Sequence, residues 1–278
     1  MKKTSKHTVY KRRKAGKKSI TRTRRIKKLL LFVLLVTVIV MFARSSFFIV
    51  GEINVVGNKK NSSHDIIKRT GLLTGQNVFK MLGEKPKNLV AFRFNDSEQS
   101  IYESMPYIKS VSVRPALPKA INIKIQERTP FAILETEGTS VLIDREGYSL
   151  EIVKASELKE KYFKIMGISV DSYNLGHAVK FKGRFPLDEL KNFCDILLKS
   201  DKDSKLKLFE KVTSVDLSEL NNMIVDFDDR IIVKFGDLEE VEYEIRFFRQ
   251  FYVNNITTKQ KGTLDFTKSN NPYFVPDE

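Results

Sequence analysis

Acidic residues are missing from the start of the chain: no Asp or Glu occurs before Glu52. Over the same stretch fourteen Lys and Arg residues fall within positions 1–28, and Arg44 follows. Of 49 basic residues, 34 remain once these fifteen are set aside, and they face 34 acidic ones. Everything past residue 44 is therefore formally neutral, and the net charge of +15 belongs to the N-terminal segment. That distribution gives no reason to expect a nucleic-acid-binding domain; binding by the basic tail alone would be weak and salt-sensitive. Cysteine is nearly absent. Cys194 stands alone, which excludes an intrachain disulfide and argues against a structural zinc site. It reads as a small buried hydrophobe on a helix. The histidines are His7, His64 and His177, and no two have metal-ligand spacing. No Gly-x-Ser-x-Gly elbow and no phosphate-binding loop occurs. With no metal, cofactor or small-molecule substrate implied, composition and motifs favour a binding module over an enzyme.

What is present begins with an apolar run. Residues 29–43, LLLFVLLVTVIVMFA, carry no charge. The run is shorter than the roughly 20 residues of a spanning helix. Ile26 precedes it, Lys27 and Lys28 can extend toward headgroups, Arg44 can snorkel outward, and Phe47 to Val50 continue the apolar character. A transmembrane helix over 26–48 follows, with Lys27, Lys28 and Arg44 as its flanking anchors. A cleaved signal peptide is the competing reading. The long basic region before the run speaks against it, as does Met41 two places before Ala43. The cationic bias puts the N-terminus in the cytoplasm and the remainder outside. Residues 1–25 have no apolar periodicity and read as a disordered tail. That tail is either a topology signal alone or is attracted to anionic lipid, at roughly 1 kcal/mol per cation.

About 230 residues lie beyond the anchor, enough for one large domain or two small ones. In the first unit, 47–128, alternation from Ile49 to Val56 predicts a strand closed by Gly57-Asn58. Ser62 or Ser63 caps a helix ended by Gly71, and Asn95-Asp96-Ser97 opens a second helix stopped by Pro106. Two alternating strands follow, the second placing Ile121, Ile123 and Ile125 on one face. The second unit, 129–267, is β-rich: FAILE, SVLID, YFKIMGI, VTSVDL, MIVDF and IIVKFG read as strands. Asp228-Asp229 reads as a turn rather than a catalytic carboxylate pair. Two amphipathic helices run over FPLDELKNFCDILLKS and EEVEYEIRFFRQFYVN, and a last strand begins near Gly262. Residues 268–278 read as an irregular tail. The fold class is α+β.

The segment PYIKSVSVRPALPKAINIKIQERTPFAIL resembles the bacterial cell-division family FtsQ, called DivIB in Gram-positive bacteria. Its matching positions are Pro106, Val111, Val113, Arg114, Pro118, Ile121, Ile123, Ile125, Glu127, Arg128, Pro130 and Ala132. The strand IVGEINVVGN resembles that family's first POTRA strand. The resemblance implies a POTRA domain followed by a β domain, with no catalytic activity. It implies a place at the division septum and partners of the FtsB/DivIC and FtsL kinds, small proteins that each cross the membrane once. It also implies that the last strand and the helix before it receive the partner: Thr263, Leu264, Asp265, Phe266 and Thr267 on the strand, Phe248 and Tyr252 on the helix. A final strand with one bare edge invites strand addition. Ordinary core burial is the competing reading for Leu264, Phe266, Phe248 and Tyr252. Glu127-Arg128 reads as the junction between domains. Two departures from the family stand out: LGEKPKNLVAFRFND is longer than usual, and Thr267 stands where Arg is common. A membrane-anchored cell-wall enzyme and a POTRA-type assembly factor are the alternative functions.

Overall fold

The computed structural model describes residues 17–136, 138–158, 160–183, 185–219, 222–236, 240–268 and 272–277. Most of the expected disordered tail, residues 1–16, lies outside the described residues. The chain resolves into two compact units. One joins residues 73–94 and 114–122 to the N-terminal helix and the chain as far as Asn54; the other holds 55–72, 95–113 and 123 onward.

In the first unit, α1 (Lys17–Ala43) is a single helix of 27 residues. Within it Thr23–Ala43 is long and apolar enough to cross a bilayer. The helix starts well before residue 26, because Lys and Arg are good helix formers and nothing in KKSITRTRR breaks it. It stops at Ala43, short of Phe48. Ser46–Phe48 form a turn of 3₁₀ helix instead, and Phe48 and Val50 are buried. Two short helices follow: α3 (Val78–Gly83) ends as the longer segment noted in the sequence begins, and α4 (Pro86–Ala91) lies within it.

Between these pieces run β1 (Glu52–Val56), α2 (Ser63–Thr70), α5 (Asn95–Ser104), β2 (Ile108–Ala116) and β3 (Ala120–Glu127), and the three strands form a sheet in the order β1-β3-β2. The strand-helix-helix-strand-strand frame is thus present, with α3 and α4 added. Ser62 caps α2 by accepting the Asp65 N–H at 3.1 Å, and Gly71 ends it with φ of 69°. On β3, Ile121, Ile123 and Ile125 are buried while Asn122, Lys124 and Gln126 are exposed, as the alternation requires.

The second unit centres on nine strands: β4 (Pro130–Thr136), β5 (Thr139–Asp144), β6 (Ser149–Val153), β7 (Lys164–Met166), β10 (Val212–Asp216), β11 (Met223–Phe227), β12 (Ile231–Phe235), β13 (Gly262–Asp265) and β14 (Tyr273–Pro276). Their order is β14-β13-β12-β11-β10-β7-β4-β5-β6. The short α6 (Ala155–Leu158) and the two-stranded ribbon of β8 (Val170–Ser172) and β9 (Lys180–Phe181) complete the β-rich part. Helices α7 (Leu187–Asp201) and α8 (Val241–Asn255) pack on each other and share one core with the sheet. That core includes Phe193, Leu197, Val225, Phe227, Val233, Phe235, Ile245, Phe248 and Leu264. Burying each such side chain contributes about 1.5–3 kcal/mol. Cys194 is buried in it, and burial pushes its thiol up to about 12.

A proline-flanked sheet edge as the candidate binding site

The end of the sheet is built by one β-α-β passage. Strands β11 and β12 form a hairpin turned by Asp228 and Asp229, both left-handed at φ of 59° and 53°. The register ends at Phe227↔Ile231, so residues 228–230 form the loop, and the Arg230 N–H closes it by donating to the Phe227 carbonyl at 3.1 Å. Asp228 is committed to local bonds. Its carboxylate accepts Lys211 Nζ at 2.8 Å and the Tyr252 hydroxyl, and Arg230 approaches at 3.3 Å. Burial opposes its ionisation, but the bonds from Lys211 and Tyr252 hold the carboxyl below its usual range. The same burial and bond push the Tyr252 phenol up to about 12. From this corner α8 leads to β13, which lies parallel to β12.

The candidate residues divide by burial. Phe248, Leu264 and Phe266 are core residues, and Phe248 sits 4.6 Å from the Phe227 ring. Asp265 is also buried, accepting the Thr267 backbone N–H at 2.9 Å and its hydroxyl at 2.7 Å. Against the cost of burial, those bonds lower its pKa. Thr263 and Tyr252 are half-buried and Thr267 is exposed.

One expectation is corrected. The strand at 263–267 is not an open edge, and residues 268–278 are not all irregular. β14 pairs antiparallel with β13 in the register Gly262↔Pro276, Thr263↔Val275, Leu264↔Phe274 and Asp265↔Tyr273. Its Phe274 ring packs 5.4 Å from Phe251 on α8. Gly262 permits the close approach: a Cβ there would meet the Val275 carbonyl oxygen at 2.4 Å and the Phe274 ring at 2.5 Å.

The true edge is an unwelcoming one. The Asp277 N–H donates to the Lys261 carbonyl at 3.0 Å, so 261 and 277 are a hydrogen-bonded pair. By antiparallel alternation, Val275 and Tyr273 turn their backbone groups toward β13, while Phe274 and Pro276 turn theirs outward. Pro272 has the same parity. Two of these three outward positions are prolines, leaving the Phe274 N–H as the single outward donor of the three. Proline on an exposed strand is a recurrent device against further pairing. The opposite edge, β6, is partly covered by the chain at 174–178, which bonds Ser149 and bridges Tyr148 through Ala178.

Glu127 and Arg128 sit at a second polar centre. The Glu127 carboxylate accepts the backbone N–H groups of Lys59, Lys60 and Asn61 at 2.8, 2.7 and 3.0 Å. Burial opposes its charge, but these bonds outweigh it and lower the pKa. A carboxyl depressed in the folded state contributes stability above its unfolded value, roughly 4.3, and loses it as pH falls further. Glu127→Gln is therefore expected to lower the urea midpoint at pH 7 and to lower it by progressively less as pH falls below that value, which paired urea titrations check. Arg128 is buried beside Asp144 at 2.7 Å and Glu146 at 3.0 Å, over the Tyr148 ring at 3.5 Å. Sequence reasoning marked Glu127-Arg128 but missed Asp144, Glu146 and Tyr148. They lie at the turn between β5 and β6, distant in sequence from Arg128.

Among the described residues no group of three or more His, Cys, Asp or Glu is placed to hold a metal ion. A surface cleft of about 760 Å³ is lined by Phe131, Lys164, Lys211, Asp228 and Asp229 among others, and its Asp228 is already tied to Lys211.

Comparison with known proteins agrees with this layout. Residues 48–128 match the family described as POTRA domain, FtsQ-type. A cell division protein DivIB of Clostridium acetobutylicum is 27% identical over 228 residues, covering 82% of this chain and 83% of the relative. A second DivIB, of Clostridium tetani, is 27% identical over 231 residues, covering 80% and 82%. A cell division protein FtsQ of Corynebacterium glutamicum is 28% identical over 103 residues, covering 37% and 41%.

Proposed function

We propose, from the premise that this chain belongs to the FtsQ/DivIB family of cell-division proteins, that it serves division as a non-catalytic scaffold whose β13 edge receives a strand from a partner. The partner is of the FtsB/DivIC kind, accompanied by one of the FtsL kind. In this reading α1 crosses the membrane once, with the basic tail in the cytoplasm and the β domain outside, at the division septum. The single observation that carries the binding mode is the pairing of β14 on β13. A strand bearing two outward prolines is a poor platform for another strand, but β13 beneath it is a good one. The incoming strand takes the place of β14, bonding to Thr263 and Asp265 through backbone groups. Phe248, Leu264 and Phe266 hold β13 from the core, and Tyr252 braces the corner through Asp228 and Arg230. Ending the chain after Lys261 removes both strands. Loss of partner capture by that variant, with full capture by the intact chain, is expected; undiminished capture would sink the reading.

A further inference from the structure

Segment 78–93 lies beyond what the binding function uses. Its first helix is seated by apolar residues: Val78, Met81 and Leu82 of α3 are buried. The second is not: in α4 Asn88 is the buried residue, while Leu89, Val90 and the capping Phe92 are exposed, Val90 at 88%. Single exposed apolar residues need no explanation, but three within four positions form a patch. In sequence, positions 78–93 carry Lys80, Lys85, Lys87 and Arg93 against the single acid Glu84, and Arg44 follows the end of α1.

The patch is fixed to the end of the apolar helix. The Asn77 side-chain amide donates to the carbonyls of Ala43 at 3.0 Å and Ser45 at 2.9 Å. The Asn77 side-chain oxygen accepts the N–H groups of Phe79 and Lys80. One side chain thus joins the last turn of α1 to the first turn of α3. A run of ring contacts extends the joint: Phe42 to Phe48 at 5.2 Å, Phe48 to Phe79 at 4.9 Å, and Phe79 to Phe92 at 6.3 Å. The exposed residues at the end of α4 lie three ring contacts from the last turn of the span. Amphipathic elements seat their apolar side roughly 5–10 Å into the headgroup boundary, with cations beside the phosphates.

We propose that α4 and its C-terminal residue Phe92 dock on the bilayer surface from which α1 emerges. Leu89, Val90 and Phe92 enter the headgroup boundary. This rests on the membrane-crossing reading of α1. Its consequence is orientation: α1 is joined to its own unit by a surface contact as well as by a peptide link.

The chain contains no Trp, so one introduced indole reports alone. The full chain is reconstituted in vesicles containing anionic lipid, carrying quenching labels either just below the headgroups or at mid-bilayer. Three variants are compared: Val90→Trp, Val36→Trp within the apolar run, and Val253→Trp at an exposed position of α8. The shallow label is expected to quench Val90→Trp several-fold more strongly than Val253→Trp, with blue-shifted emission. Adding Leu89→Glu and Phe92→Glu is expected to reverse both effects. Quenching of Val90→Trp no greater than that of Val253→Trp, with Val36→Trp strongly quenched at mid-bilayer, overturns the docking and leaves the membrane crossing standing. Failure of the mid-bilayer label to quench Val36→Trp overturns the crossing itself, and the docking with it.

Discussion

A chain ending at Lys268, and so lacking β14, is expected to bind the proposed partner's strand more tightly than the full chain. Four residue pairs hold β14 to β13. A net backbone hydrogen bond contributes about 0.5–1.5 kcal/mol, so about four of them oppose the partner by about 2–6 kcal/mol. Their removal raises affinity by roughly thirty-fold or more. Titrating the membrane-proximal tail of an FtsB/DivIC-like partner against both chains checks this. If the partner instead extends the sheet beyond β14, the shortened chain binds more weakly. Phe274→Ala gives an independent route to the same state: it removes the ring that packs 5.4 Å from Phe251 and leaves β13 untouched. Tightened binding by this full-length variant separates release of the edge from any effect of shortening the chain.

Asp144→Ala produces the largest loss of stability expected of a single polar substitution in the second unit. Asp144 and Arg128 are 4% and 6% exposed. One Asp144 oxygen accepts Arg128, and the other accepts the N–H groups of Glu146 and Tyr148 at 2.9 Å each. Truncation leaves a guanidinium out of water with the exposed Glu146 as its remaining carboxylate partner, and frees the hairpin turn. Removing one member of a buried pair costs about 3–5 kcal/mol. For a folded portion of this size that lowers Tm by roughly 6–20 °C. Replacing both members with apolar residues, as in Arg128→Met with Asp144→Leu, restores most of the loss, because the cost lies in the stranded charge. Thermal melts of the three proteins decide it. A drop of under about 1 kcal/mol for Asp144→Ala would mark the pair as a solvated one.

Much of the fold was legible because burial on one side imposes a period. Ile121, Ile123 and Ile125 on β3 and Val241, Ile245 and Phe248 on α8 announce their elements, and the structure buries all six. Periodicity names a face and gives no depth. It could not tell that Phe248, Leu264 and Phe266 lie inside while Thr267 stays in water. β14 escaped notice for a physical reason. SNNPYFVPDE carries two prolines and little alternation, the composition of irregular chain. Only a strand at the margin of a sheet tolerates prolines at these positions, so the residues that hid the strand are those that suit it to cover an edge. The start of α1 was missed because the expected span followed apolarity, whereas its first turns are made of cations that favour helix. Arg128 was visible in the motif, but its partners Asp144 and Glu146 come from the next hairpin, a pairing that local spacing does not encode.

The central claim is that β14 must leave β13 before the partner can bind. Thr263 and Val275 stand opposite each other in the register, at a spacing a disulfide can bridge. The native Cys194 is buried, and its thiol is pushed up to about 12, so it takes no part. In a chain carrying Thr263→Cys and Val275→Cys, oxidation pins the strand in place and reduction frees it. Partner capture lost on oxidation and recovered on reduction is the predicted result; equal capture in both states would contradict it.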